Sequence, residues 1–328
     1  MTTLFDLVSQ CNSVPDDIGA VAEREGLYQF TIGGRLVGHL SAADITGLKG
    51  VVQRQAEPVF IIDDSQRTLT FNDKYGDCAS RSAAVAELLA QMKSEKTWAS
   101  LSKWRDELYP VYDGSPSTTE RSTGVAVMIE RAASYNFGIR TYGVHINGYT
   151  CCKESGQIRM WLGLRSKSKP TWPAHLDQLA AGGIGNGMDI WESAIKECGE
   201  EAGIPPAIAK CARYAGTIQY FTRSELGLQP ETQFVLDLEL PADFTPVPND
   251  GEVATFFHMT MSEVVARLKM GEFKPNSAAC MIDFMVRRGF ITPDSEPNYI
   301  GIVDGLHRPL PYPGPPPTPA RKSSSYYY

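Results

Sequence analysis

Gly182-Gly183-Ile184-Gly185-Asn186-Gly187-Met188-Asp189-Ile190-Trp191-Glu192-Ser193-Ala194-Ile195-Lys196-Glu197-Cys198-Gly199-Glu200-Glu201-Ala202-Gly203-Ile204 is the stretch on which the reading of this chain turns. Its glycines permit a tight loop that runs into a helix spanning Asp189 to Ala202. The helix start is marked by Asp189 as N-cap, with Glu192 three residues on to reach back and close a capping box. Glu197 lies three and four residues before Glu200 and Glu201, so the three carboxylates project from one side of the helix and repel one another. A hard divalent cation, Mg²⁺ or Mn²⁺, would supply the missing positive charge, since such ions favour carboxylate oxygens and bridge to substrate phosphates. The same ion withdraws charge from a diphosphate under attack and makes water a better nucleophile. A merely solvated acidic helix face would leave the glycines on both sides unexplained. A phosphate-cradling P-loop or dinucleotide fingerprint is not met by these glycines.

These residues resemble the Nudix box: Gly, five residues, Glu, seven residues, Arg-Glu-aliphatic, any, Glu-Glu, any, Gly-aliphatic. Gly182, Glu197, Glu200, Glu201, Gly203 and Ile204 match, Lys196 stands for Arg, and Cys198 takes the aliphatic position. Met188 stands where the first Glu falls, and Glu192, one turn before Lys196, is expected to pair with it instead. A wider resemblance is carried by Phe137-Gly-Ile-Arg-Thr-Tyr-Gly-Val-His-Ile-Asn-Gly-Tyr149, Lys169-Pro-Thr-Trp-Pro173, Phe273-Lys-Pro-Asn276, Met281-Ile-Asp-Phe284 and Trp104-Arg-Asp-Glu-Leu-Tyr-Pro-Val111. It is similar to the Nudix subfamily related to thiamin pyrophosphokinase, whose members carry an extra N-terminal domain and tend to lack the first Glu. Gly199 departs from that pattern, which usually has Glu there.

The resemblance implies a Nudix α/β/α sandwich, and hydrolysis of a thiamin-type diphosphate, such as the oxo- or oxythiamin form, to the monophosphate. Arg165 and Lys169 are candidates for phosphate, Trp172 or Tyr220 for stacking on a heteroaromatic ring, and Asp177 for a polar contact. Glu252, in Asn-Asp-Gly-Glu252-Val, resembles the loop carboxylate that many Nudix enzymes set opposite the box. Buried aromatic residues are more often core than site. A prenyl diphosphate, ADP-ribose or another nucleotide diphosphate stays open as substrate, as does a noncatalytic ligand-binding module on the same fold.

Outward from the box, strands are expected at Tyr142 to Tyr149, Ile158 to Leu164, Arg213 to Phe221 and Thr232 to Leu240, and helices at Met261 to Met270 and Ser277 to Arg288. In the first third, two short apolar runs around Gly33-Gly34 signal a hairpin between Tyr28 and Leu40. Ala84, Val85, Leu88, Leu89 and Met92 recur at helical spacing as a core stripe from Ser80 to Lys96. Turn-rich sequence between Tyr109 and Gly124 sets the expected division: an α+β N-terminal domain at 1–122, the Nudix hydrolase domain at 123–308, and a disordered Pro/Ser/Tyr tail at 309–328. The fold class expected is thus α/β, a Nudix sandwich preceded by a small α+β domain.

Composition narrows the partners. The 328 residues carry 31 Lys and Arg against 38 Asp and Glu, and the formal charge of −7 offers no general attraction to nucleic acid or an anionic membrane. No run reaches the 18 apolar residues of a membrane span, and a cytoplasmic location is expected. Seven cysteines and five histidines show no zinc spacing, and no GxSxG elbow or cysteine-nucleophile context appears. The expected partner is a small-molecule diphosphate, with homodimerisation through the N-terminal domain left open.

Overall fold

The computed structural model describes residues 2–115 and 124–315. Its contacts divide the chain into two compact units: Met1–Val14 with Tyr142–Thr222 and Glu231–Pro309, and Pro15–Thr141 with Arg223–Pro230 and the segment from Leu310.

The chain opens on α1 (Leu4–Cys11), capped by a reciprocal box between Thr3 and Asp6, and this helix belongs to the unit that carries the glutamates. The second unit follows with α2 (Ile18–Glu25), β1 (Tyr28–Ile32), β2 (Arg35–Leu40), α3 (Ala42–Val52), β3 (Phe60–Asp63), β4 (Thr68–Phe71), α4 (Cys78–Ser94), β5 (Leu108–Tyr112), β6 (Val125–Glu130) and α5 (Ser134–Phe137). Its four-stranded sheet has the order β2-β1-β4-β3. Gly33 and Gly34 turn the β1–β2 hairpin at φ 58° and 75°, a left-handed pair that suits the strand twist. The α4 stripe expected from sequence is buried, and it joins Phe30, Phe60, Phe71 and Phe137 in one apolar core. The division falls at 141/142 instead of 122/123, because β6 pairs with β5, Val127 opposite Val111, and both residues belong to that core. The Pro-rich tail is also not free where it is described. Tyr312 is buried, with its hydroxyl oxygen 2.7 Å from His39 Nδ1 and its carbonyl accepting from Arg140. Residues 116–123 of the turn-rich stretch and 316–328 of the tail lie outside the described residues.

The other unit contains β7 (Thr141–Cys151), β8 (Ile158–Arg165), β9 (Leu176–Asp177), β10 (Ala180–Gly183), α6 (Ile190–Ala202), α7 (Pro206–Ala209), β11 (Arg213–Ser224), β12 (Gly227–Glu239), β13 (Val253–Thr260), α8 (Met261–Lys269), α9 (Pro275–Arg287) and α10 (Tyr299–Leu306). The sheet order is β11-β12-β7-β8-β13, with β10 paired to β7 and β9 to β8. Strand alternation assigns the two faces. His145, on β7, reaches α9 through Gln178, which donates to the Ser277 carbonyl. Gly182 is paired with the preceding residue, Val144, and so looks to the opposite face, where it meets Glu197 of α6. Helices thus cover both faces, as an α/β/α sandwich requires; α1, α8, α9 and α10 share one apolar cluster with the sheet. No helix among the described residues is long and apolar enough to cross a membrane.

Candidate functional site

The helix α6 begins as its sequence dictates. Asp189 accepts from the Glu192 N–H at 2.7 Å, and Glu192 accepts from the Asp189 N–H at 3.4 Å. It ends at Gly203, whose left-handed φ of 61° lets the Gly203 and Ile204 N–H groups return to the Gly199 and Cys198 carbonyls. The closing Gly-aliphatic pair of the box is therefore a helix stop with Ile204 buried behind it, and Cys198 fills the aliphatic position in the core.

Glu197 lies directly over β10. A Cβ on Gly182 would sit 2.2 Å from the Glu197 carboxyl carbon, so only glycine there lets this carboxylate reach the sheet. Glu201 is buried and accepts one hydrogen bond, from the Ala181 N–H at 2.9 Å. Burial, with Asp177, Glu197 and Glu252 nearby, pushes its carboxyl well above the ordinary range, against the Ala181 N–H. Glu197 is raised too, chiefly by burial and further by Glu200 and Glu252, with Lys196 opposing. Lys196 lies 3.2 Å from Glu197 and 2.6 Å from Glu200. The expected Glu192–Lys196 pair does not form, because Glu192 is held in the capping box and Glu197 and Glu200 take the ammonium.

Glu252 reaches this neighbourhood on the 245–252 loop. That loop is tied to α6 by the Val247 N–H on the Ala202 carbonyl and the Asn249 amide on the Gly199 carbonyl. Lys169 pairs with Glu252. Among the described residues, no three His, Cys, Asp or Glu side chains are gathered into a ready metal cluster, because Glu201 is turned to Ala181 and Glu200 to Lys196. The donor chemistry nevertheless suits a hard divalent cation: three carboxylates within one helical turn, Glu201 buried, Glu197 half-buried, and one partly exposed lysine shared between Glu197 and Glu200.

The other candidates have different surroundings. Arg165 is buried, donating to Asp177 at 2.8 Å and to the Thr171 and Trp172 carbonyls, so it holds its own loop in place. Burial alone would raise the Asp177 carboxyl, but Lys274, His145, Arg165 and a Ser277 hydrogen bond hold it well below the usual range. Tyr220 is not an open stacking face. Its ring is in the α9-side core, and its hydroxyl is held among Glu231, Gln233 and Asn276. Trp172 is exposed, at a left-handed φ of 50°, with its ring edge-on to His175. Sequence reasoning missed the Lys169–Glu252 and Arg165–Asp177 pairs; opposite charges in those segments were the only signal, and only the folded chain brings them together.

A model described as NUDIX domain matches residues 142–279, and one described as a domain of unknown function, DUF4743, matches 3–141. The chain is 33% identical over 314 residues to Nudix hydrolase 20, chloroplastic, of Arabidopsis thaliana, covering 93% of this chain and 78% of that one. An uncharacterized protein of Saccharomyces cerevisiae is 34% identical over 303 residues, covering 88% of this chain and 86% of the yeast protein. Among solved structures, the Caenorhabditis elegans Ap4A hydrolase binary complex aligns with 46% of this chain and 99% of its own, at 16% identity and a TM-score of 0.35. The fold and the box define a hydrolase acting on pyrophosphate bonds. The chain belongs to the Nudix hydrolase family.

Proposed function

We propose that this Nudix hydrolase cleaves a small organic diphosphate of the thiamin type, oxo- or oxythiamin diphosphate, to the monophosphate and phosphate. Glu197, Glu200 and Glu201 hold the divalent cation, Mg²⁺ or Mn²⁺, and Glu252 acts from the opposite loop. The observation that carries the metal site is the contact between Glu197 and the bare α-carbon of Gly182, with Glu201 fixed on the adjacent Ala181 N–H. When bound, the cation supplies charge for the diphosphate oxygens. The chain's own part is to orient. Gly182 and Ala181 fix two carboxylates against β10, Lys196 holds Glu200 within one turn of them, and the Asn249 and Val247 contacts carry Glu252 to the same side. Trp172 offers an exposed ring to the organic part, and Lys169 a cation to phosphate; the thiamin assignment itself rests on the subfamily resemblance.

The test is phosphate release from oxythiamin, thiamin, ADP-ribose and farnesyl diphosphates, with and without Mg²⁺, by wild type and Glu200→Gln. Oxythiamin diphosphate is expected to turn over fastest, only with metal, and about 10³-fold more slowly in the variant, a loss of about 4 kcal/mol of transition-state stabilisation. Faster turnover of ADP-ribose or farnesyl diphosphate would replace the substrate assignment. No turnover of any, with a diphosphate still bound, would replace the enzyme by a binding module.

A further inference from the structure

The unit formed by Pro15–Thr141, Arg223–Pro230 and the segment from Leu310 contains a cavity of about 490 Å³, within the usual size of small-molecule sites. One wall is a fixed polar chain. Ser41 Oγ and the Asn136 amide both donate to the Asp44 carboxylate at 2.6 Å, and Ser100 donates to the Asn136 amide oxygen at 2.5 Å. These bonds fix the Asn136 amide in one orientation and hold Asp44 without a cationic partner among the described residues.

His39 lines the same cavity while only 2% exposed. Its Nδ1 is taken by the Tyr312 hydroxyl, and its Nε2 has no hydrogen-bond partner among the described residues. With the residue as a whole buried, the cavity that His39 lines is the space from which this nitrogen can be met. Burial keeps this imidazole neutral, with its pKa lowered to about 4. The lining charges are then the carboxylates of Asp44, Glu25 and Glu225 against one guanidinium, Arg223, which is paired with Glu25 at 2.7 Å. Trp98 adds an aromatic wall, anchored by its indole N–H on the Asp44 carbonyl at 3.2 Å.

We propose that this cavity is a second ligand site, separate from the glutamate helix, and that it takes a small heteroaromatic cation. The positive charge is met by Asp44 and Glu225, the ring lies toward Trp98, and one polar ring atom meets His39 Nε2. Water filling the cavity would satisfy His39 equally well but would show no preference for a cation. Selectivity for charge is therefore the deciding property. The site does not depend on which diphosphate the glutamate helix cleaves.

The experiment is titration calorimetry on the full chain without divalent metal, using thiamin and 1-methylnicotinamide, methylated on the ring nitrogen, as cations and nicotinamide as the neutral counterpart of the second. Both cations are expected to bind one to one, and nicotinamide at least tenfold more weakly. Ala43, an exposed residue of the lining, gives a variant that narrows the cavity without disturbing the core. Ala43→Phe is expected to weaken cation binding at least tenfold and leave diphosphate hydrolysis unchanged, while Glu200→Gln binds the cations as wild type does. Absence of binding by both cations overturns the site. Equal affinity for nicotinamide and its cation, or binding unaffected by Ala43→Phe, also overturns it.

Discussion

On the α9 side of the Nudix sheet, Asp237 accepts from Asn147 and is gripped by Arg287 at 2.7 Å and Arg288 at 3.2 Å, while Asp177 has Arg165, Lys274 and Ser277 around it. On the α6 side, the equally buried Glu201 has one backbone N–H and three other carboxylates in range. Burying a charge is tolerable when it is paired and hydrogen-bonded, and costly otherwise. The α9 carboxylates therefore hold the sandwich together. Those on α6 are kept at the expense of stability, which a functional site can justify. Lys196 is the local compromise, a partly exposed counter-charge shared between two carboxylates in place of one fixed on a single partner.

Four changes would break or sharpen that contrast. The largest effect is expected from Gly182→Ala, whose methyl takes the space of the Glu197 carboxyl: hydrolysis should fall about 10² to 10³-fold, roughly 3–4 kcal/mol, in steady-state kinetics. Full activity in that variant would mean Glu197 need not rest on β10. Asp237→Ala should cost about 3 kcal/mol of unfolding free energy in urea titrations, since it removes the buried carboxylate that Arg287 and Arg288 share and leaves Arg287 with Asp283 alone, and the folded fraction should keep its activity. A cost no larger than that of an average surface mutation would dissolve the contrast.

The third concerns His145, beside Asp177 on the α9 side. Burial chiefly, with Lys274 and Arg165, lowers its pKa to about 4, against the opposing pull of Asp177 and the Gln178 hydrogen bond. Because the folded value lies below the unfolded one of about 6.5, the unfolded chain takes up the proton first, and stability present above pH 6.5 is lost on acidification toward pH 4. At pH 5 this residue alone should cost about 2 kcal/mol. NMR titration should find its ring neutral down to about pH 4. The smallest effect is a gain: at Gly199 an added Cβ would meet nothing closer than the Ile204 carbonyl at 3.9 Å, so Gly199→Ala should stabilise the helix by about 1 kcal/mol, read as a higher Tm.

What the sequence revealed follows the range of the interactions. The α6 capping box, the end of that helix at Gly203, the β1–β2 turn and four strands of the Nudix sheet, β7, β8, β11 and β12, are set by residues a few positions apart, and each appears where its local pattern puts it; β9, β10 and β13 are not among the expected strands, and Gly182 and Gly183, read as loop, pair with β7 instead. That the three glutamates share one helix was legible for the same reason. Their partners were not. Lys196 had glutamates at both −4 and +4, and only the closed capping box decided between them. Tyr220 has the composition of a stacking ring, but strand alternation turns it to the α9 side. The domain boundary moved because a turn-rich stretch joined two strands that pair, β5 and β6, when it could as well have joined two domains.

The first helix adds a matter of timing. α1 packs Leu4, Leu7 and Val8 into the cluster that also holds residues of α9 and α10, some 270 residues further along the chain. At about 5–20 residues per second, a ribosome would release this helix roughly 15–50 s before the segments that bury it. During that interval it is an exposed amphipathic segment, followed in the chain by a unit already able to collapse. A fragment starting at residue 142 would keep the glutamate helix and lose this first one, leaving bare the apolar surface it covers. Expression of the family's recognisable domain alone is therefore expected to give aggregation-prone protein, a defect of where the chain is cut and not of catalysis.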